Sequence, residues 1–378
     1  MISRLSELAS LFLKLGITSF GGPAVHIAMM ENEVVRRRRW MTHEEFLDQL
    51  GASNIIPGPT STELAIHIGH LRAGWPGLIV AGISFIVPAV AIVTAIAWAY
   101  VKAGHLPAAH GIFYGVKPVV IAVVLQALWT LGRAALKTRT LVVVGLAAVA
   151  AVFAGVNELV VLFGAGAVMA LVRIVQERPA RANGTIARTL LPFFVQTAAT
   201  TTAAPFALWP LFGVFLKIGA VLFGSGYVLL AFLRADLVER LHWLSEQQLL
   251  DAIAVGQLTP GPVFTTATFV GYLLGGGPGA AVATIGIFLP AFVFVALSGL
   301  FLPRLRRSPI ARTALDGINV ASLALMAIVT AQLARSALVD PITSVLAAVS
   351  ALLVFRWRVN SAWLVLGGAA VGLLVTLI

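Results

Sequence analysis

The chain contains no cysteine and few charged residues, and both shortages narrow what it can do. Without cysteine there is no disulfide, no thiolate metal site and no cysteine nucleophile. Charged residues make up only 11% of the 378 residues, whereas hydrophobic residues make up 59%. Such a chain cannot bury its apolar surface in a water-soluble core. The sequence therefore predicts an integral membrane protein, and it carries no Walker nucleotide-binding motif.

The apolar runs are long and lack a two-residue alternation, which predicts spanning helices rather than barrel strands. The expected fold class is an all-α, polytopic helical membrane protein. Several of the runs are shorter than the roughly 20 residues that a spanning helix needs. The predicted spans lie at about 8–30, 77–101, 112–133, 140–155 and 158–174, and then at 209–233, 277–301, 315–337, 341–355 and 361–378.

The net charge of +11 comes from Lys and Arg in short loops between the apolar runs. Charges in such places set membrane topology and contact anionic lipid headgroups, so the lipid bilayer is an expected partner and nucleic acid is not.

The second half of the chain repeats the first. Ten residues recur in order at a constant offset, which predicts an N-terminal repeat over 1–176, a linker over 177–208 and a C-terminal repeat over 209–378. Duplicated halves with Gly and Pro interruptions at matching places are typical of transporters, and the interruptions point to the binding site. The recurring residues are Lys14, Gly16, Phe20, Gly21, Trp40, Asp48, Pro57, Gly58, Pro59 and Thr62, which match Lys217, Gly219, Phe223, Gly224, Trp243, Asp251, Pro260, Gly261, Pro262 and Thr265.

The interruptions predict broken helices that bind an anion. Segments 46–72 and 246–274 each read as a helix, a break at Pro-Gly-Pro and a second helix that returns to the same side. A break at mid-membrane leaves N–H groups unpaired at the start of the second helix, which carries partial positive charge. The alternative is that Gly and Pro merely allow close packing and kinks. The predicted substrate-binding residues at the breaks are Phe20, Gly21, Gly22, Pro23, Pro57, Gly58, Pro59, Thr60, Ser61 and Thr62, with Gly224, Ser225, Gly226, Pro260, Gly261, Pro262, Thr265 and Thr266 in the second copy.

Two matched lysines, Lys14 and Lys217, lie inside predicted spans. A lysine at the bilayer centre is costly, so each is expected to face the bundle interior, with Lys14 as the main counter-charge for the anion. The alternative is that their ammonium groups reach the membrane interface.

The polar and titratable groups near the breaks are concentrated in the first copy. Embedded Glu or His side chains are candidate proton carriers. The alternative for His67 and His70, three residues apart, is a metal site, but no third ligand lies nearby in sequence, so no metal and no cofactor are expected. The residues are His26, Asn54, Glu63 and His67, whose counterparts are Leu229, Gln257, Thr266 and Val270.

Acid and base residues also recur at the predicted membrane entrances. They act either as gates or as interfacial anchors, and the sequence leaves both interpretations open. The candidates for proton coupling or gating are therefore Glu33, Arg36, Arg37, Glu63, His67, Lys117, Asp236 and Arg240, with Asn319 opposite Lys117 in the second copy.

Five crossings per half would insert the second half upside down, and the distribution of Lys and Arg favours this inverted repeat. Arg36–Arg39 and Arg304–Arg307 then both lie in the cytoplasm. An arrangement with a re-entrant first span, and part of 186–208 crossing instead, also fits.

At these residues the sequence resembles the chromate ion transporter family in its long, two-domain form. The motif runs from Lys14 to His26 and continues through Glu33–Arg38 to the first Pro-Gly-Pro, and it is then repeated. The second copy departs from it, with Gly226 where the first has Pro23.

This resemblance implies a secondary transporter rather than an enzyme. It would export chromate, a sulfate analogue, across a bacterial-type cytoplasmic membrane, driven by the membrane potential, by proton coupling or by both, and would confer chromate resistance. Oxyanion uptake, an anion channel and an embedded metal hydrolase are the alternatives. The oligomeric state stays open, with a homodimer as one arrangement.

Overall fold

A computed structural model describes residues 2–103, 106–176, 206–223 and 226–377 of the chain. The described residues form helices and connecting turns without any strand, which confirms the all-α fold class. Most of the predicted linker, together with Gly224 and Ser225, lies outside these residues.

The helices of the first half follow the predicted spans closely. They are α1 (Ile2–Thr18), α2 (Pro23–Glu31), α3 (His43–Ser53), α4 (Thr60–Ala103), α5 (Pro107–Ala135), α6 (Arg139–Phe153) and α7 (Glu158–Gln176). A π-helical turn, Asn32–Arg37, extends α2.

The second half repeats this order. Its helices are α8 (Leu208–Val221), α9 (Leu229–Leu233), α10 (Glu246–Leu258), α11 (Thr266–Arg307), α12 (Pro309–Ala337), α13 (Pro341–Arg356) and α14 (Ser361–Leu377). A π-helical turn again follows the short second helix, at Arg234–Arg240. Short 3₁₀ turns, Gly226–Val228 and Val263–Thr265, precede α9 and α11.

Five helices among the described residues are long and apolar enough to cross a membrane. They are Thr60–Ala103, Ala108–Ala135, Glu158–Gln176, Val263–Leu302 and Pro309–Ala337. Four further apolar helices, including α6 and α13, are shorter, so the predicted total of five crossings per half stays a prediction.

The long helices α4 and α11 are each bent back on themselves at matching positions. The backbone leaves the helical region at Ala73 and Gly74 in α4 and at Gly275 and Gly276 in α11. Both second residues have positive φ, 61° at Gly74 and 58° at Gly276, which glycine adopts without steric cost. The segment before each kink is thus the returning arm that follows the Pro-Gly-Pro break, and the predicted span begins after the kink.

One long helix of each half packs against helices of the other half. Helix α1 packs on α4 and α8 packs on α11, within their own halves. In contrast, α5 packs mainly on α13 and α14, while its counterpart α12 packs on α6 and α7. Small residues permit this: a Cβ added to Gly115 would lie 1.9 Å from the carbonyl oxygen of Gly368.

The matching helices α5 and α12 run antiparallel to each other. Lys137, just after the end of α5, contacts Asp316 near the start of α12, with 3.5 Å between Nζ and Oδ1. At the other end, Gln247 accepts a hydrogen bond from Lys117 of α5 (2.6 Å) and donates one to the carbonyl of Ser336 of α12 (3.2 Å).

Candidate functional site

The backbone breaks of the two halves contact each other. The backbone N–H of Gly58 donates to the carbonyl of Leu222 in the other half, at 2.8 Å, and that of Gly261 donates to the carbonyl of Ser19, at 3.0 Å. These two bonds join equivalent positions, so each Pro-Gly-Pro turn is held by the break of the opposite half. Both glycines have positive φ, 138° and 89°, which explains why glycine stands between the two prolines.

A cavity of about 360 Å³ lies at this meeting point and is called the central cavity below. The first copy supplies most of its polar groups, through Asn54, Thr60 and Ser61. The described residues of the second copy supply apolar groups. The lining residues are Gly21, Pro23, Ala24, Ile27, Asn54, Pro59, Thr60 and Ser61, then Gln126, Ala127, Thr130 and Leu131 of α5, and Gly226, Pro262, Val263 and Phe264.

Two helices begin at the central cavity. Helix α2 starts at Pro23 and α4 starts at Thr60. The first N–H groups of a helix have no partner within it and carry partial positive charge, so both starts favour a negative ligand. Gln126 and Thr130, four residues apart on α5, add polar groups that sequence reasoning missed, although polar side chains at helical spacing in an apolar span are a usable signal.

His26 connects the two helix starts behind the cavity wall. Its side chain is buried, with Nδ1 3.2 Å from the Ser61 hydroxyl and Nε2 3.1 Å from the carbonyl of Ser19. The ring also packs edge-on against Phe85. His26 therefore orients a cavity-lining hydroxyl, and the second copy has Leu229 at this position.

Glu63 lies on the other side of the first Pro-Gly-Pro turn and is fully buried. Neither of its carboxyl oxygens has a hydrogen-bond partner among the described residues, and neither does the hydroxyl of Thr62. In the second copy, the Thr265 and Thr266 hydroxyls instead donate to the nearby carbonyls of Pro262 and Val263, both at 2.8 Å. The first copy thus carries unsatisfied polar groups where the second does not.

Other predicted residues do not line the central cavity. His67 and Gln257 are buried, Pro57, Gly58, Pro260 and Gly261 form the two turns, and Phe20 and Gly22 belong to the first break. No group of three or more His, Asp or Glu side chains among the described residues is placed to hold a metal ion.

The matched lysines take part in two charge clusters away from the central cavity. Lys14 and Arg37 contact the same oxygen of Glu33, at 3.2 and 3.1 Å, while Arg36 pairs with Glu31 at 3.3 Å. In the second half Lys217 pairs with Asp236, and Arg240 joins it at 2.8 Å. Each cluster ties a π-helical turn to the first helix of its half, so the role of Lys14 as counter-charge to the anion stays a prediction.

The surrounding charges control the ionisation of Glu33. Burial alone would raise the pKa of Glu33, but the ammonium of Lys14 and the guanidinium groups of Arg37 and Arg38 outweigh it. The pKa therefore lies below the usual range for glutamate.

A second cavity of about 430 Å³ lies toward the opposite end of α5. At its wall, Lys117 and Asp251 form a buried ion pair, with 2.9 Å between Nζ and Oδ1 and side-chain exposures of 13% and 7%. Tyr100 donates to the other oxygen of Asp251 at 2.7 Å. The matching positions are Asp48 in the first half and Asn319 in the second, so the equivalent pair lacks the ammonium group and this ion pair between the halves is not repeated.

Duplicated halves whose broken helices meet around one central cavity define the architecture of a membrane transporter. A family model described as chromate transporter matches the chain twice, over residues 6–171 and 209–373. The chain belongs to the chromate transporter family. With its apolar spans and bacterial relatives, it is a multi-pass protein of a bacterial-type cytoplasmic membrane.

The relatives cover nearly the whole chain. It is 31% identical to the chromate transport protein of Cupriavidus metallidurans, covering 97% of this chain and 92% of the relative. It is also 31% identical to the probable chromate transport protein of Synechococcus elongatus, with coverage of 94% and 91%. The chromate transport protein of Pseudomonas aeruginosa is 32% identical, with coverage of 87% and 81%. No solved structure matches the chain significantly.

Proposed function

We propose that the protein is a secondary transporter that exports chromate from the cytoplasm and so confers chromate resistance. The observation that supports this most directly is the convergence of two helix starts on a central cavity whose lining includes no acidic side chain. Several backbone N–H groups, with the hydroxyls of Thr60 and Ser61 and the amide of Asn54, suit a tetrahedral oxyanion because they converge without requiring a fixed cation. The proposal includes no catalytic reaction and no cofactor.

The membrane potential favours export. Moving one charge across 100 mV is worth about 2.3 kcal/mol, so a dianion leaving a negative interior releases about 4.6 kcal/mol. A proton that accompanies the anion would halve the charge moved. The second candidate is uptake of sulfate. Uptake of a dianion against this potential would need cations that cross with it.

Transport in proteoliposomes tests this function. Purified protein should exchange labelled chromate across the membrane, and an imposed potential should move chromate toward the positive side. Unlabelled sulfate is then added as a competitor of labelled chromate. If the protein is a sulfate transporter, sulfate should inhibit chromate movement at concentrations below that of chromate itself. Absence of any potential-dependent chromate movement would contradict export.

We further propose that the two repeats, 1–176 and 209–378, are inverted in the membrane and alternate in opening the central cavity to each side. The antiparallel run of the matching helices α5 and α12 supports this, because a two-fold axis relating them lies across the helices rather than along them. Since the chain has no cysteine, single cysteines in Arg36–Arg39 and Arg304–Arg307 can be labelled without background. Both should be protected from an impermeant reagent outside the cell, and opposite sidedness would remove the inversion.

A further inference from the structure

Anion binding alone leaves the fully buried Glu63 beside the central cavity unexplained. Its carboxyl group lies against the Pro-Gly-Pro turn: a Cβ added to Gly58 would be 2.4 Å from Oε1. Pro59, Thr60 and Ser61, on the other side of the same turn, line the cavity. The carboxyl group and a bound anion therefore share the start of α4.

Among the described residues, no hydrogen bond and no ion pair reaches the Glu63 carboxyl. Both of its oxygens lack a hydrogen-bond partner, and none of the ion pairs among the described residues includes it. Helix α11 contributes Ala291 next to the turn, in an apolar cluster with Val295. Among the titratable groups on the elements packed around it, Lys14 on α1 pairs with Glu33, and Asp251 on α10 pairs with Lys117. His26 on α2 contacts Ser61 and the carbonyl of Ser19. Asp48 on α3 is exposed, and His67 lies buried one turn further along α4.

A carboxylate in this position would be unstable, because burying a charge without a partner is costly and the group takes up a proton instead. A dianion at the same helix start increases the cost, since like charges close together in a low-dielectric site repel. The neutral acid removes both problems.

We propose that Glu63 holds a proton while the oxyanion occupies the central cavity, so that one proton crosses the membrane with each anion. The inference rests on the proposed transport function and adds its stoichiometry. The proton is released from Glu63 when the cavity opens to water and the anion leaves. The second copy has Thr266 at this position, whose hydroxyl donates to the carbonyl of Val263, so it has no carboxyl group at the matching place.

The test uses proteoliposomes in which potassium and valinomycin hold the membrane potential at zero while a pH difference of one unit is imposed. Labelled chromate is the probe, and its concentration on the two sides is measured at equilibrium. A dianion that crosses with one proton should accumulate about tenfold on the alkaline side, because one pH unit corresponds to a tenfold factor in the equilibrium constant.

The Glu63→Gln variant keeps the size of the side chain but cannot carry the proton, so this accumulation should disappear. Glu44→Gln, at an exposed carboxyl group on α3, is the matched control and should accumulate chromate like the wild type.

Four outcomes overturn the inference, and the last of them also overturns the transport function. Accumulation that persists in Glu63→Gln places the proton on chromate itself. Wild-type protein that moves chromate with the potential but ignores the pH difference leaves the transport function intact and removes the proton. Accumulation that follows a sodium difference instead of the pH difference makes Glu63 a sodium site. Failure of wild-type protein to move chromate under any gradient would overturn the transport function as well.

Discussion

The two copies of the broken-helix region share a backbone but differ in their side chains. Each Pro-Gly-Pro turn donates a hydrogen bond to the opposite half, through Gly58 and Gly261. Around the first turn lie His26, Ser61 and Glu63, whereas Val263 and Phe264 line the cavity beside the second. The comparison indicates that the duplicated backbone forms the cavity and that the first copy supplies its polar chemistry.

The two ends of the molecule also differ, and here the second copy contributes a charged group. The ion pair of Lys117 and Asp251 links α5 to the second copy's α10, and its counterpart positions are Asn319 and Asp48. One end of the molecule thus carries a buried lysine–aspartate pair, and the matching positions lack the lysine. Matching halves with different polar groups at the two ends suit a transporter that must release its ligand on one side.

The largest effect is expected from breaking what the two copies share. Gly58→Leu should reduce chromate transport by two orders of magnitude or more, because φ is 138° there and any Cβ would clash with Glu63. Gly261→Leu should have a comparable effect, since a Cβ there would lie 2.7 Å from that of Ala89. Transport rates at matched expression measure both.

Gly213→Leu is the control for these substitutions, because no atom lies within 4 Å of a Cβ at Gly213. Normal transport by Gly58→Leu would mean that the turn does not shape the binding site.

The next largest effect is expected on stability, when the buried ion pair of Lys117 and Asp251 is broken. Lys117→Ala should lower the free energy of unfolding by about 3–5 kcal/mol, because removing one partner leaves Asp251 buried and uncompensated. Thermal unfolding in detergent measures it. Replacing both residues, as Lys117→Met with Asp251→Leu, should recover most of that loss.

The comparison position in the first half is Asp48, which is exposed. Asp48→Asn should cost less than about 1 kcal/mol. Equal losses for Asp48→Asn and Lys117→Ala would contradict the asymmetry between the two ends.

A smaller effect is expected from making the first copy resemble the second. His26→Leu introduces the side chain found at Leu229 and removes the contacts to Ser61 and Ser19. Loss of a buried hydrogen-bonding group costs about 1–3 kcal/mol, which corresponds to about 5- to 150-fold in apparent chromate affinity if the cost falls on binding. Saturation kinetics of uptake measure it, with Leu229→Ile as the control. An unchanged KM for chromate would mean that His26 is only structural.

The smallest effect is expected at the matched lysines. Lys14 is 56% exposed and paired with Glu33, so Lys14→Ala should raise the apparent KM only a few-fold, in line with an exposed ion pair. Lys217→Ala should have a smaller effect. A rise above tenfold for Lys14→Ala alone would show that Lys14 contacts the anion in another conformation.

The pH dependence of stability also reports on the ion pair of Lys14 and Glu33. The pKa of Glu33 is lowered in the folded protein, so its contribution to stability is present above the usual glutamate pKa and is lost as the pH falls toward the lower folded value. Lys14→Ala should weaken this acid dependence.

Much of the fold could be predicted because backbone chemistry is local. Proline lacks an N–H group and glycine permits positive φ, so Pro57, Gly58 and Pro59 end a helix wherever they occur. The break between α3 and α4, and its copy between α10 and α11, lie at these residues. The sequence also predicts that the first copy carries the titratable groups, because the counterparts of His26 and Glu63 in the second copy cannot ionise.

The contacts between halves were beyond sequence reasoning, because they join residues far apart in the chain whose proximity depends on the packing of all the helices. Lys14 illustrates this. Its position in an apolar run predicted that it has a charged partner, but only the structure shows that this partner is Glu33 and not an anion in the central cavity. The same holds for Lys117 and Asp251, and for Gln126 on α5.

By itself, the sequence determined a helical membrane protein with two matching halves and the places where its helices break, because those features follow from composition and from proline and glycine. The tertiary structure decided that α5 and α12 exchange partners, that each turn is held by the opposite half, and which polar groups face the central cavity. These follow from side-chain packing between helices, which a repeat in the sequence does not specify.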